Sequence, residues 1–571
     1  SKRQKKHVPA LRVWQAEVPH AQEEGLDCLW AQVSKLRGDK WVERQLVRPY
    51  LAFDGVLCEA LQHNLPPLPA PPHRPEDTYP FPRVVFRLFD YTDCPDGPVL
   101  PGAHLVERFL AEEQLCHILD RHHTDRKLCA AQLLSFPGKV KLPLEYMIVE
   151  VIFGELLRLP TSKNLEICYG SLLLELCKLQ PSTMPQVLAQ AVELLYERLD
   201  TMNTDCIDRF CSWFAYHLSN FQFRWTWDDW SEAVTLDALH PKALFLREAL
   251  HRCLRLSYHQ RILDFVPESF APFVPAKPAP DYRYAKEGAD TLSFSSSQTG
   301  FPSHSARSLK CFSCKESPQP CLLFLCSPYN RHFGPWNEHF LFDLSILDEP
   351  IQILGDRLLC KDISWTPRFR YPRTGKTRAH FRTAATCGFG AWQHSNINFP
   401  VLRYARTLIM WMLGQVVNSC LDGTASYVWE ILHLTIRKMI KHVRKLETEL
   451  EDAKNKLQKG ESEDKEPPTD LMVERMEEKL EATQSDLKNL FLIIFQRFIM
   501  SLTEHIAHCE AEGTNFQTHW FRWTLGRLQE VFFQHHEHVF KYVTTLESLV
   551  FTNDIDPHVL EVFQQFAALR A

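Results

Sequence analysis

Apolar residues recur at steps of three and four through most of the chain between about Gly102 and Phe265, and the runs stop at helix breakers. Leu144 to Leu159 ends at Pro160, and Leu165, Cys168, Leu172, Leu176 and Leu179 stop before Pro181. Thr183 then offers a cap, with Pro185 in the first turn where its missing donor costs little, and Val187, Leu188, Ala191, Leu194 and Leu195 line an inner face. Asp205 to Leu218 follows with Ile207, Phe210, Phe214 and Leu218 inward, and Leu246 to Phe265 reads as one further helix. Short loops between such helices make sequential neighbours antiparallel. The pattern predicts an all-α fold, an α-solenoid of stacked helical pairs. No fixed sequence period is visible, which disfavours the strong-consensus repeat classes.

The flanks extend this picture. Helices are predicted at Leu26 to Leu36 and Tyr50 to His63, the second stopped by Leu65-Pro66-Pro67-Leu68-Pro69-Ala70-Pro71-Pro72. A proline-rich connector runs from Pro80 to Pro101. From residue 293 to about 427 the periodicity fades into Ser, Pro, Phe, Arg and Cys, apart from a short helical pattern between Leu402 and Val417. So long a structureless run reads as foreign to the fold, a disordered segment, a translated intron or a gene-model error. Helical order returns at Val428. Ile436, Met439, Val443, Leu446, Leu450, Ala453 and Leu457 form one heptad seam, and Val473, Met476, Leu480, Thr483, Leu487, Leu490 and Ile494 form a second. The polar turn GESEDKEPP joins them, so 436–494 reads as a projecting antiparallel coiled-coil hairpin. Phe516 to Leu549 and Pro557 to Leu569 complete the helices.

At 571 residues the chain should hold two to four domains. A net charge of −6 argues against bulk neutralisation of nucleic-acid phosphates. Eighteen cysteines without a disulfide-framework spacing favour a reducing compartment, nucleus or cytosol. The apolar run Leu490 to Phe495 is soon broken by Gln496 and Arg497, which argues against a membrane span, and no secretory signal is visible. Beginning at Ser1, the chain reads as a fragment lacking its natural start.

Each candidate for chemistry has a plainer reading that outweighs it. Cys311, Cys314, Cys321 and Cys326 supply four thiols, but a structural zinc site prefers two tight knuckles and only the first is present. Arg373-Thr374-Gly375-Lys376-Thr377 contains GKT, yet Arg370 stands where a P-loop needs glycine. His535, His536 and His538 could approach one metal, but read as packing or surface residues, as do Arg121-His122-His123. Lys2-Arg3-Gln4-Lys5-Lys6 reads as a solvated basic start rather than a localisation patch. Asp228 and Asp229, adjacent in sequence, diverge too much for acid–base work on one atom. No catalytic, cofactor-binding or metal residue is therefore assigned, and the chain is read as a non-enzyme without cofactors.

Leu199 to Glu232, LDTMNTDCIDRFCSWFAYHLSNFQFRWTWDDWSE, is the most informative stretch. Phe221, Phe223, Trp225, Trp227 and Trp230 interleave with Arg224, Asp228 and Asp229. Such aromatics could stack bases, but core filling is the better reading because stacking platforms sit in basic grooves. Here the chain resembles the large-subunit family of the nuclear cap-binding complex. The resemblance continues through RPYLAFDGVLCEALQHNLPP (48–67), FRLFDYTDCPDGPVLPG (86–102), CAAQLLSFPGK (129–139), QPSTMPQVLAQAVELLYERLD (180–200), LSYHQRILD (256–264), VWEILHLTIRKM (428–439) and NLFLIIFQRFIMSLTEHI (489–506).

The resemblance implies three MIF4G-like helical-repeat domains, of which this chain lacks the first with its nuclear-import signal. Residues 1–28 would be the remnant of that domain or its linker, and 29–292 the second domain. Residues 293–427 do not match, and 428–571 would be the later part of the third domain. It further implies a non-enzymatic scaffold in a heterodimer, whose small RRM-type partner holds the 7-methylguanosine cap. The scaffold would recruit splicing, export, nonsense-mediated decay and microRNA-processing factors, and reside in the nucleus while shuttling to the cytoplasm. No catalytic or ligand residue carries over. The rival readings are a direct RNA-binding helical-repeat module and, weaker, a zinc protein built on Cys311 to Cys326.

Overall fold

In the computed structural model the described residues are 10–15, 20–43, 80–94, 97–137, 141–278, 426–459 and 470–570, with single positions between 52 and 74. Among them regular structure is helical, apart from two isolated antiparallel bridges, Trp14 with Met202 and Glu24 with Val84. Nearly all of the predicted helix at Tyr50 to His63 and of 293–427, the Leu402 to Val417 pattern included, and the GESEDKEPP turn lie outside the described residues.

The chain divides into two compact units, 1–253 with 263–274 and 409–571, and 254–262 with 275–408. In the second, the described residues are 254–262 and 275–278; at the break after Leu256 the Ser257 amide donates to the Leu254 carbonyl and Arg261 to that of Tyr258. All packing below belongs to the first.

Helix α1 is Gly25–Gly38, α2 Val106–His122, α3 Arg126–Leu134, α4 Leu144–Leu156, α5 Glu166–Leu179, α6 Met184–Glu197 and α7 Thr204–Asn220. Then come α8 Pro241–Leu256 and α9 His259–Phe265, and after the long interval α10 Ser426–Lys459, α11 Asp470–Glu512, α12 His519–Gln534, α13 His536–Lys541, α14 Val543–Leu549 and α15 Pro557–Ala567. Their starts follow local chemistry. The Asp125 carboxylate accepts from the Lys127 and Leu128 amides at the head of α3, Asn203 from Asp205 at α7, Thr518 from Phe521 at α12, and Asp556 from His558 at α15. Thr183 stands at the head of α6 without capping it; its hydroxyl pairs instead with Gln180 Oε1, 2.9 Å away.

Two layers result. Helices α2, α4 and α6 pack in succession as one, and α3, α5 and α7 as the other, with α2 against α3 and α4 against α5 across them. Helix α4 is central, so Met147, Ile148, Val149, Ile152, Phe153 and Leu156 are all buried and its apolar surface runs around the helix. The predicted connector at 80–101 lies extended across this layer. Around Val84 its backbone bridges to Glu23 and Gly25, and further on it bonds to side chains. Glu150 accepts from the Leu88 and Phe89 amides at 2.7 and 3.0 Å, and Arg198 donates to the Arg87 and Leu88 carbonyls at 2.8 Å each.

The second layer does not end at α7. Helix α12 packs on it, and α11, α13 and α15 pack on α12 in turn. At the crossing a Cβ built on Gly526 would lie 1.9 Å from Thr204 Oγ1, so only glycine permits this approach. Helices α10 and α11 form an antiparallel hairpin. Lys454 pairs with Glu477 at 2.5 Å and Gln484 donates to Glu447 at 3.1 Å, the partners running in opposite directions. Ile436, Met439, Val443, Leu446, Leu450, Val473, Thr483, Leu487, Leu490 and Ile494 are buried along the seam, whereas Leu457 is exposed.

Two helix boundaries differ from expectation. The helix expected at Leu246 begins at Pro241, where proline suits a first turn, and breaks after Leu256 instead of continuing to Phe265. Phe516 to Leu549 is three helices, with bends at His535 and Tyr542. Part of α11 is long and apolar enough, by composition, to cross a membrane; its Phe491, Ile494, Phe495 and Leu502 are sealed inside the helical core.

Gly526→Ala is expected to destabilise the protein by about 1–3 kcal/mol through overpacking. Thr204→Ala should recover part of that loss, so the double variant falls short of the sum of the singles in urea unfolding.

Candidate functional site

The aromatic stretch begins where α7 ends. Phe221 closes the helix, and Gln222 and Phe223 then take left-handed backbone angles, φ 57° and 61°. This conformation costs a non-glycine residue about 1–2 kcal/mol, so packing must hold it. The Phe223 amide donates to the Leu218 carbonyl at 2.7 Å, and its ring stacks on Phe265 with centroids 4.9 Å apart. The reversed chain enters a turn of 3-10 helix, Trp227–Thr235. Trp230 stacks on Tyr196 at 4.3 Å, and its indole N–H donates to Glu193 Oε2 at 2.7 Å. Trp227 is edge-on to Phe270, and Trp225 edge-on to Phe214.

Phe223, Trp227 and Trp230 are thus buried, and protein rings meet their faces. The interleaved Arg224, Asp228 and Asp229 are exposed. A set of rings closed over in this way offers no platform for bases. His217 lies against Trp213 and Phe221, and burial pushes its imidazole down to about 4.

Beside this corner, where α7 meets α12, lies a buried charge network. Arg527 has no exposed side-chain surface; its Nη1 donates to Asp208 Oδ2 at 2.5 Å and Glu530 Oε2 at 2.6 Å. Its guanidinium lies 4.6 Å from the Trp523 ring centre and 5.3 Å from that of Trp429, a cation–π arrangement suited to arginine. Asp208 Oδ1 also lies 3.5 Å from Arg252. Glu530 Oε1 is 3.1 Å from His433 Nε2, and His433 Nδ1 is 3.0 Å from His535 Nε2. Burial alone would raise the Glu530 carboxyl, but Arg527 and His433 hold it below the usual carboxylate range. Burial, reinforced by His433, holds His535 well below the usual histidine range. Alongside, Asp205 pairs with Arg209 and accepts from Gln534, and Asn203 donates to Gln529 Oε1 at 3.0 Å.

The other sequence candidates are dispersed. His535 and His538 are buried in packing, and His536 meets Phe81 edge-on. His123 lies against the Asp120 carbonyl at the end of α2. The Lys2 to Lys6 run, Cys311 to Cys326 and the segment at Gly375 lie outside the described residues. The ten described cysteines form no disulfide with one another. Burial pushes Cys177 up to about 11 and Cys253 up to about 12, the behaviour of packing thiols. Sequence reasoning missed Asp208, Arg527, Glu530 and His433. One signal was present: Gly526, alone inside a strongly helical pattern, marks a close approach.

Two stretches of the chain, 106–268 and 405–541, match families described as MIF4G like. The nuclear cap-binding protein subunit 1 of Aedes aegypti is 47% identical over 619 aligned residues, covering 100% of this chain and 75% of that protein. The chain belongs to the nuclear cap-binding protein subunit 1 family. The protein of that name from Homo sapiens is likewise 47% identical, over 600 residues, and that from Gallus gallus 46% over 601; each alignment covers 100% of this chain and 74% of the relative. The stacked helices are therefore a MIF4G-like helical-repeat fold, and the α7–α12 crossing joins the two matched stretches.

Arg527→Met should cost about 3–5 kcal/mol, because Asp208 and Glu530 are left buried without their shared cation. Urea unfolding measures this, and Arg527→Lys should recover little, since one ammonium cannot reproduce the guanidinium's flat stacking. His217 takes up protons more readily unfolded than folded, so its contribution is complete above about pH 6.5 and is lost as pH falls towards 4. The loss amounts to no more than about 3 kcal/mol, and His217→Phe should flatten that part of the pH–stability curve.

Proposed function

We propose that the chain is the non-enzymatic scaffold subunit of a nuclear cap-binding complex. It stabilises a small RRM-type partner that holds the 7-methylguanosine cap of RNA polymerase II transcripts, forming a heterodimer with it. In this reading residues 29–292 are the second MIF4G-like domain, and 428–571, with the α10–α11 hairpin as a coiled coil, the later part of the third. The assembled scaffold recruits splicing, export, nonsense-mediated decay and microRNA-processing factors, and resides in the nucleus while shuttling to the cytoplasm.

The observation that carries this reading is the 47% identity, across all of this chain, to proteins named nuclear cap-binding protein subunit 1. Physical support comes from two directions. A chain of net charge −6 clamps a partner without competing with it for RNA phosphates. Phe223, Trp227 and Trp230, rings that a direct RNA-binding module would use, spend their faces on the core.

The test is retention on a cap-analogue resin. The chain alone should pass through, and should be retained when the small RRM-type subunit is supplied. Capture of capped RNA by the chain alone, with an affinity falling steeply as salt rises, would sink the scaffold reading in favour of direct RNA binding.

A further inference from the structure

Away from the aromatic corner and the charge network, Glu23, Cys28 and His104 converge from two segments. A carboxylate oxygen, the thiol sulfur and an imidazole nitrogen all lie within 4.8 Å of one another. His104 Nε2 is 3.1 and 3.0 Å from the two oxygens of Glu23. The Cys28 side chain is buried, whereas those of Glu23 and His104 are 45% and 48% exposed. We propose that Glu23, Cys28 and His104 form a binding site for a single borderline divalent metal ion, zinc by preference.

The donor set selects the metal. One sulfur, one nitrogen and one oxygen suit zinc, which accepts all three at about 2.0–2.3 Å. Calcium and magnesium require oxygen shells and would gain nothing from the thiol. Three protein ligands leave the fourth tetrahedral position for water, which can reach the site from the exposed side, where Glu23 and His104 stand. Drawing three donors onto one ion requires them to be about 3.3–3.7 Å apart, given those bond lengths. The sulfur is fixed, and the two exposed side chains rotate inward to meet it.

The backbone around the ligands is already organised, a requirement for a tight site. On one side, the Val85 amide donates to the Glu23 carbonyl at 2.8 Å and the Gly25 amide to the Arg83 carbonyl at 2.5 Å, which locks Glu23 against the extended connector. Cys28 is fixed at the start of α1, its amide donating to the Glu24 carbonyl at 3.0 Å. On the other side, Gly102 accepts from the Leu105 amide at 3.0 Å, a tight turn that presents His104. Gln32 joins the two halves by donating to the Ala103 carbonyl at 2.7 Å, the same oxygen that the Cys28 sulfur approaches at 3.7 Å. A bound ion would complete this seam, stapling α1 to the turn that leads into α2.

Cobalt titration of the full chain tests the proposal, because a cobalt–thiolate bond gives a near-ultraviolet charge-transfer band. One equivalent should saturate the band. Cys28→Ser should abolish it, while His104→Ala and Glu23→Gln should weaken affinity at least tenfold. His104 and Glu23 are exposed, so these two variants keep the fold, and their unchanged far-ultraviolet circular dichroism shows it. Zinc should raise the melting temperature of the wild-type chain and leave His104→Ala unmoved. Absence of a band, or a band that survives Cys28→Ser or His104→Ala, would overturn the site. A band lost on Cys311→Ser or Cys314→Ser instead would place metal binding at the other cysteine cluster and overturn it equally.

Discussion

The crossing of α7 and α12, where early helices meet late ones, turns on one cation sealed from water. Arg527 gives its side chain wholly to the interior, held by Asp208 from α7 and by Glu530 from its own helix. Moving a charge out of water costs several kcal/mol even after relaxation, and the attraction of two carboxylates roughly offsets that loss. The network therefore adds little net stability over an apolar seam and acts chiefly on register. Only one placement of α12 on α7 puts Arg527 between its acids, Gln529 on Asn203 and Gly526 on Thr204. Apolar contacts alone would tolerate a sliding helix; this arrangement does not.

The aromatic corner follows a related logic with different forces. Two left-handed residues after α7 are strained, and the stacking of Phe223 and Trp230 holds them in place. The resulting turn reverses the chain so that the rings face inward and the charges outward. A stretch whose composition suggests a recognition surface is thereby converted largely into core, and its exposed charges are acidic apart from Arg224. For a subunit proposed to brace a partner rather than grip RNA, this is the useful outcome.

How much of this was legible beforehand varied with the range of the interaction. Helices α4, α5 and α7 could be read because their apolar spacing is regular and polar or proline residues mark their ends. The start of α8 was also written locally, in His240-Pro241, and was missed because its clearer apolar run begins only at Leu246. The bends in 516–549 had no local mark at all. No proline or glycine falls between Gln534 and Leu549, and the bends come where His535 meets His433 and where the Tyr542 hydroxyl reaches the Gln484 carbonyl. The charge network was illegible for the same reason. Asp208 and Arg527 are each unremarkable in their own helices, and nothing short-range pairs them. Even Glu23, Cys28 and His104 became a cluster only when the fold laid α1 beside the turn before α2.

The crossing of α7 and α12 also sets a timetable. Asp208 and Arg527 are separated by 319 residues, yet they are neighbours in the finished layer. At synthesis rates of roughly 5–20 residues per second, α7 leaves the ribosome about 15–60 seconds before its partner exists. Throughout that interval Asp208 lacks its arginine and the flank of α7 is open. The nascent protein must wait with an unfinished layer, open to misassembly until α12 is made.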